Sequence, residues 1–179
     1  DFNFLCRLFE LEGIYFFFNH EGDKHTMVLA DSYSAHSDIP DYDAVKFRSE
    51  DNREKVGKES VQFWSAGGEI QASNFVLNDF DFERASASTS GSLLVKKNIP
   101  ASYSQPAYEQ FDFPGGYNKA SFGTTMARAR IESIHGQCEQ IRAQTSARGL
   151  FPGGLFGFVE HPRDDQNRTY LVTSAHYER

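Results

Sequence analysis

Residues 1–18, DFNFLCRLFELEGIYFFF, join a predicted helix directly to a predicted strand. Asp1 can cap the start of a helix over residues 1–12, and Gly13 can adopt the left-handed conformation that ends one. Ile14–Phe18 contains only β-branched and aromatic residues, which are typical of strands. The helix is amphipathic, because apolar side chains recur at helical spacing at Phe2, Leu5, Leu8, Phe9 and Leu11.

The strand signal continues along the chain and predicts a mainly β protein of the α+β class. His25–Ala30 is expected to return from Ile14–Phe18 as a hairpin with a longer loop at Asn19–Lys24. A second helix is predicted at about residues 121–137, with an apolar face that includes Ala127 and Ile131. The remaining predicted strands are Val45–Phe47, Val61–Trp64, Glu69–Phe82, Leu93–Lys97, Tyr108–Phe113, residues 139–148, Leu155–Glu160 and Arg168–Tyr177, with a turn at Ala66–Gly68.

Composition excludes several classes of function. The 179 residues carry a formal net charge of -7 and contain no basic stripe, which argues against binding to nucleic acid. The longest apolar run, Ile14–Phe18, is too short to cross a bilayer, so no stable membrane insertion is expected. Cys6 and Cys138 are interpreted as two reduced, buried thiols, since two cysteines are too few for a disulfide framework.

Seven motifs, taken in their order along the chain, resemble the VgrG family of type VI secretion spike proteins, in the region similar to the tail hub of contractile phages. The resemblance runs nearly end to end, and the joint order of the motifs makes it specific. They are GIYFFF at 13–18, NFVLNDFDF at 74–82, YEQFDFPGGY at 108–117, MARARIE at 126–132, LFPGGLFGF at 150–158, HPRDDQN at 161–167 and TYLVTSAHYE at 169–178.

The resemblance implies a homotrimer at the tip of an inner tube, in which two tube-like β-barrels per subunit match a hexameric ring of the tube protein, Hcp. An OB-fold, a needle, bound effectors and a tip cap belong to regions absent from this chain, which we expect to be a fragment. Such proteins are assembled in the bacterial cytoplasm and then secreted or injected into a target cell.

On the family's pattern, residues 1–60 form a helix-hairpin subdomain and residues 61–179 an antiparallel tail-tube-like barrel. The barrel is expected to contain strands from residues 61–84 and 139–177, with the helix at about 121–137 packed on it.

Three groups of polar residues invite a chemical interpretation, and we favour a structural one for each. His20 and His25 flank a hairpin turn and with Asp23 could hold a metal, but an exposed polar turn explains them. His161, Asp164 and their neighbours in HPRDDQN could be catalytic, but Pro, Asp and Asn are residues that strand connections need. The carboxylates Asp79, Asp81 and Glu83 are expected to share one solvated strand face.

The leading hypothesis is therefore a structural hub and not an enzyme, with no catalytic, cofactor-binding or metal-binding residue and no cofactor assigned. The nucleophile elbow GxSxG, the phosphate loop GxxxxGK[ST] and the zinc motif HExxH do not occur in the sequence. Two alternatives remain: the baseplate hub of a contractile phage or phage-like particle, and a hydrolase domain that attacks the cell wall or carbohydrate.

Overall fold

The computed structural model describes residues 1–49, 59–84, 92–99 and 108–178, and in them the protein is mainly β with two α-helices. The helices are α1 (Phe2–Glu12) and α2 (Ala120–His135). The strands are β1 (Tyr15–Glu21), β2 (Lys24–Ala30), β3 (Ser37–Asp38), β4 (Val45–Phe47), β5 (Ser60–Gly68), β6 (Asn74–Leu77), β7 (Val95–Asn98), β8 (Glu109–Asp112), β9 (Glu139–Thr145), β10 (Gly154–Val159) and β11 (Thr169–Leu171).

Backbone contacts divide the chain into two compact units, each built from two separate segments. Unit 1 contains Asp1–Ile14 and Gly67–Gln140, and unit 2 contains Tyr15–Ala66 and Ile141–Arg179. Strands β5 and β9 each have residues in both units. The division into residues 1–60 and 61–179 stays a prediction.

Helix α1 of unit 1 begins and ends as predicted. The Asp1 side chain accepts a hydrogen bond from the Asn3 amide, and Gly13 ends the helix in the left-handed conformation with φ of 74°. Gly13 also lies close to α2, because a Cβ there would stand 2.8 Å from Cβ of Ala129. No residue of α1 is buried, so its predicted apolar face is largely exposed.

The core of unit 1 lies between α2 and the sheet β7–β6–β8. The predicted helix is confirmed within two residues at its ends, and Ala127 and Ile131 on its apolar face are fully buried. They pack with Phe75 and Leu77 of the central strand β6 and with Tyr117. Strand β6 is buried at every position, which explains the continuous apolar run Phe75–Leu77.

Tyr117 is the wedge between this sheet and α2. Its hydroxyl lies 3.0 Å from the carbonyl of Leu77, the last residue of β6, and 2.5 Å from the carbonyl of Leu93, which precedes β7. Side chains at Gly115 and Gly123 would overlap its ring. The two glycines therefore make room for the ring, and one of them lies inside α2.

The hairpin β1–β2 of unit 2 is tighter than predicted. Strand pairing continues to Glu21 and Lys24, so the loop consists of Gly22 and Asp23 alone. Gly22 has φ of 59°, the conformation that a two-residue hairpin loop requires at this position. The prediction of a longer loop at Asn19–Lys24 was wrong, because Gly22 and Asp23 complete the turn without additional residues.

The main sheet of unit 2 has the order β11–β10–β4–β5–β9, with β3 also paired to β10. Its core contains Phe158 and Val61, which are almost completely buried, together with Val45 and Phe156. Trp64 stacks on Phe158 with ring centroids 4.0 Å apart.

Several strand predictions need correction. Ala66–Gly68 is part of β5 and not a turn. Strand β6 ends at Leu77, well before Phe82, and β11 ends at Leu171, well before Tyr177. The glycines and short polar residues near these ends are compatible with strand or loop, so local pattern did not fix the ends.

Among the described strands, the hairpin β1–β2 is antiparallel, but the other two sheets are mixed and not purely antiparallel as predicted. Strand β10 pairs in parallel with β3 and β4, β4 pairs in parallel with β5, and β6 pairs in parallel with β8. Among the strands that the structure describes, the strand order of each sheet runs from one edge strand to another.

Within the described ranges, no helix is long and apolar enough to span a membrane. Cys6 and Cys138 are free thiols, but both are half-buried and not buried as expected.

The wedge generates a test of stability. Gly123→Ala should lower the free energy of unfolding by about 2 kcal/mol, because overlap with the Tyr117 ring outweighs the gain in helix propensity of about 1 kcal/mol. Gly136→Ala at the other end of α2 is the matched control, since a Cβ there would meet its nearest neighbour at 3.4 Å. Urea unfolding of both variants measures the difference. Equal free energies of unfolding for the two variants would contradict the role of Tyr117 as a wedge.

Candidate functional site

The two histidines of the hairpin tip face each other across β1 and β2. His20 and His25 are direct cross-strand partners, and their Nδ1 atoms lie 2.5 Å apart. At this distance the Nδ1–H of one ring donates a hydrogen bond to Nδ1 of the other. In the part of the chain that the structure describes, no group of three or more His, Cys, Asp or Glu side chains could hold a metal. Asp23 lies in the turn between the strands.

The loop His161–Asn167 joins β10 to β11, and its polar side chains bind the loop itself. The Asn167 side chain accepts from the His161 amide at 2.8 Å and donates to the His161 carbonyl at 3.1 Å. The Arg163 guanidinium forms two hydrogen bonds to Asp165, at 3.1 and 2.6 Å. With further help from Gln166, Arg163 lowers the pKa of Asp165 to about 2.

Gln166 anchors this loop to the aromatic core of unit 2. Its side chain is 3% exposed, accepts from the Trp64 indole N–H at 2.9 Å and donates to Asp165 at 2.8 Å. The Tyr170 hydroxyl lies 3.0 Å from the Gln166 carbonyl. A buried amide with both ends bonded stabilises the loop. The catalytic candidates His161 and Asp164 thus lie together in a loop that connects two strands and is held by its own hydrogen bonds.

Glu160 precedes the loop in a strained conformation with φ of 61°. Its carboxylate pairs with Lys46 and, at 2.6 Å, with Arg48. Hydrogen bonds from these two cations lower the pKa of Glu160 below its ordinary value. The ion pairs join the end of β10 to the end of its parallel neighbour β4.

The three carboxylates Asp79, Asp81 and Glu83 do not share a strand face, so that prediction was wrong. They follow the end of β6, and Phe82–Arg84 is a short 3-10 helix. Asp81 instead accepts a hydrogen bond from the amide of Glu83 at 3.0 Å. Asp and Phe alternate in this segment, but the side chains bond nearby backbone, which favours a turn over a strand.

Asp79 has a defined structural role in unit 1. Its carboxylate accepts hydrogen bonds from the amides of Phe80 at 2.7 Å, Gly116 at 2.7 Å and Tyr117 at 3.2 Å. These donors, the Phe80 amide foremost, hold the pKa of Asp79 below its ordinary value of 3.8. Asp79 therefore fixes the backbone that carries the Tyr117 wedge.

His36 is a functional candidate that the sequence did not single out. Its Nδ1 lies 2.8 Å from the Gly153 carbonyl and its Nε2 lies 2.8 Å from the Tyr15 hydroxyl. The ring stacks on Phe17 and Tyr15 and borders a groove of about 430 Å³. Gly153 is separated from it by 117 positions, so no local pattern could have revealed the cluster.

Exposed apolar side chains form the other notable feature. On α1, five such side chains are each at least 42% exposed: Phe2, Phe4, Leu5, Leu8 and Leu11. Elsewhere in unit 1, Phe111, Phe113 and Phe122 are each more than half exposed. Large apolar patches on a soluble protein commonly mark interaction surfaces.

The family model described as phage tail baseplate hub (GPD) matches residues 1–179. The chain belongs to the phage tail baseplate hub family. The match extends over the whole chain and therefore includes both unit 1 and unit 2.

Several curated relatives of this hub-family chain are spike proteins. It is 39% identical over 176 residues to type VI secretion system spike protein VgrG1b of Pseudomonas aeruginosa, covering 98% of this chain and 23% of that protein. It is 39% identical to VgrG1a of the same organism, covering 98% of this chain and 27% of that protein. It is 26% identical to VgrG3 of Vibrio cholerae, covering 99% of this chain and 17% of that protein.

The resemblance to VgrG proteins is thereby confirmed. The hub-family chain spans about a quarter of the length of the two Pseudomonas relatives.

The hydrogen bonds that the Asp79 carboxylate accepts in this hub-family chain can be tested through the pH dependence of stability. Asp79→Asn should lower the free energy of unfolding by about 1 kcal/mol at pH 7, since bonds to a charged acceptor are lost. A depressed pKa in the folded state adds stability above the unfolded pKa, and that stability is lost as the pH falls through the folded value. The difference between wild type and variant should therefore persist from pH 7 to 5 and shrink below about 3.8.

Urea unfolding at several pH values measures this difference. Asp81→Asn is the control, because Asp81 accepts from the Glu83 amide, whereas Asp79 is the acceptor for the amides of Gly116 and Tyr117. A deficit of Asp79→Asn that stays constant down to pH 2.5 would refute the role of the charge.

Proposed function

We propose that this chain is the hub part of a type VI secretion spike. In this role it docks on the hexameric inner tube and transmits the force of sheath contraction to a membrane-piercing needle. The observation that carries the proposal is the nearly complete match of the chain to VgrG spike proteins at 38–39% identity, together with the hub-family match over residues 1–179.

The proposed assembly is a homotrimer that binds an Hcp-like tube ring. Exposed apolar side chains on α1 and elsewhere in unit 1 support it, because burying apolar surface against a partner stabilises an assembly. The tail-tube-like barrel and the division into a helix-hairpin subdomain (1–60) and a barrel domain (61–179) also belong to the proposal and refer to the assembled protein.

The proposed role is mechanical and involves no catalytic step. The polar side chains that chemistry could use bind backbone or each other, as in Asn167 with His161 and Asp79 with Gly116. In the proposed barrel, force would pass through the hydrogen-bonded strands of the sheet. Closed sheets resist such load well because no edge is left open to peel.

Localisation and further partners follow from the same proposal. The protein would assemble in the bacterial cytoplasm and leave the cell with the needle. Effectors and a tip cap would bind regions of the full-length spike outside this chain. Nucleic acid is not a proposed partner, given the net charge of -7.

A phage baseplate hub is the second candidate of the same structural class. The description of the matching family as a phage tail baseplate hub specifically favours it. The neighbouring genes separate the two candidates, because a secretion spike is encoded with tube, sheath and effector genes and a phage hub with head and tail genes.

The face of α1 gives a residue-level test of assembly. In a strain lacking the full-length gene, complementation with wild type should restore tube protein in the culture medium. Leu5→Glu/Leu8→Glu should restore at most a tenth as much, because two charges on the exposed apolar face would prevent its burial against a partner. Quantitative blotting of the tube protein in medium and cells is the measurement.

The control variant is Asn3→Glu/Arg7→Gln, which adds the same negative charge to other exposed positions of α1. It should restore release to the wild-type level. Both purified variants should unfold at the wild-type urea concentration, since no residue of α1 is buried. Full release with Leu5→Glu/Leu8→Glu would exclude this face from the assembly.

The hydrolase alternative is tested with purified protein and peptidoglycan or oligosaccharide substrates. We expect no turnover above that of a heat-denatured sample, and therefore no effect of Asp164→Ala or His161→Ala. A measurable turnover that either substitution abolishes without altering the urea midpoint would favour an enzyme and contradict the mechanical proposal.

A further inference from the structure

Helix α1 has two faces that both carry apolar or small residues, and the chain uses only one of them for its own packing. At about 100° per residue, Cys6, Phe9 and Gly13 share the first face. Cys6 and Phe9 are half-buried, and a Cβ at Gly13 would stand 2.8 Å from Cβ of Ala129. The first face is therefore the one that lies against α2.

The second face lies nearly opposite the first and is exposed. It carries Phe4, Leu8 and Leu11, which are 50%, 42% and 42% exposed. Their spacing of four and then three residues places the three side chains in one line along the helix. The same spacing separates the a and d positions of a coiled coil, with Phe4 and Leu11 at d and Leu8 at a. The second face therefore fits another helix that lies alongside α1.

The charged residues beside this line determine in which direction such a helix must run. With Leu8 at position a, Arg7 occupies position g and Glu12 the following position e. In a parallel coiled coil a g residue lies next to the e residue of the following heptad on the neighbouring helix. Arg7 of one copy would then meet Glu12 of another copy, and the two charges attract. In an antiparallel pair of copies Arg7 would face Arg7, and the charges would repel.

Both charges are available for such a contact. Arg7 and Glu12 are exposed, and among the residues that the structure describes neither takes part in an ion pair. A second copy of this chain is thus complementary to the second face of α1 in shape, apolar character and charge, provided that the two helices run parallel.

We propose that the α1 helices of three copies pack side by side, parallel and in register, as one contact of the trimer. In this α1 seam Phe4, Leu8 and Leu11 of each copy point inward, and Arg7 of one copy pairs with Glu12 of the next. The inference rests on the proposed homotrimer, because rotation about a three-fold axis makes helices that run along the axis parallel and in register.

The width of the second face suits three helices better than two. Leu5 is 45% exposed and extends the exposed apolar arc, which begins at Leu11, to about 120° around the helix. In a trimer each helix contacts two neighbours, so both sides of this arc are covered. A pair of helices would leave one side of the arc in water.

The test is chemical cross-linking of the full-length spike at single cysteines placed in α1. In a background with Cys6→Ser, Cys138→Ser and serine for any cysteine outside this chain, Phe4→Cys and Leu11→Cys are each treated with a short bis-maleimide. We expect about tenfold more cross-linked chains than for Glu10→Cys, which lies on the far side of the helix. Cross-linking of each position to itself identifies parallel, in-register helices, because Phe4 would meet Leu11 in an antiparallel pair.

A charge reversal tests the proposed ion pair in the Leu11→Cys protein. Arg7→Glu or Glu12→Arg alone places like charges side by side and should lower the cross-linked fraction about threefold. Arg7→Glu/Glu12→Arg should restore it, because reversing both charges recreates the attraction. Removing Arg7 without reversing its charge, as in the Asn3→Glu/Arg7→Gln control, leaves the apolar line in place, since exposed ion pairs contribute little to affinity.

Light scattering of the same full-length samples separates this inference from the proposed function. A trimer in which Phe4→Cys or Leu11→Cys cross-links no more than Glu10→Cys overturns the α1 seam and leaves the hub role standing, with another part of the spike covering the face. A monomer overturns both the seam and the proposed homotrimer. Cross-linking that the double reversal does not restore overturns the pairing of Arg7 with Glu12.

Discussion

The fold of unit 1 depends on the contact between Asp79 and the backbone that carries Tyr117. The carboxylate holds the amides of Gly116 and Tyr117, and the Tyr117 ring then enters the space that Gly115 and Gly123 leave open. Its hydroxyl reaches the carbonyls at the ends of two strand segments. One side chain thus sets the distance between the sheet and α2, and a single added methyl group would disturb it.

Unit 2 follows the same physical logic with different residues. Gln166 joins a surface loop to Trp64, and His36 joins the hairpin to the turn before β10. In both cases a polar side chain that could serve chemistry is fully occupied by structural bonds. Such buried or half-buried networks fix one arrangement of the chain, because a broken member leaves an unsatisfied partner. Rigidity of this kind suits a part that is proposed to carry load.

Much of the local structure could be predicted from the sequence, and the long-range contacts could not. Asp1, Gly13 and the 3.6-residue period predict α1 because caps and periodicity are local signals. Parallel pairing of β10 with β4 joins residues more than a hundred positions apart, and nothing in either strand specifies its partner. The polar residues of the candidate sites were visible in the sequence. Their roles depended on partners such as Gly116 for Asp79 and Gly153 for His36, which only the fold brings close.

The exposed apolar side chains of α1 are easier to explain in an assembly than in an isolated chain. An 11-residue helix is marginal in water, and burial of an apolar face normally stabilises it. Here the caps at Asp1 and Gly13 and the close approach to Ala129 hold the helix, while its apolar side chains lie largely exposed. In the proposed spike a partner surface covers that face, so the stabilisation that burial of the apolar face would give the helix arises on assembly.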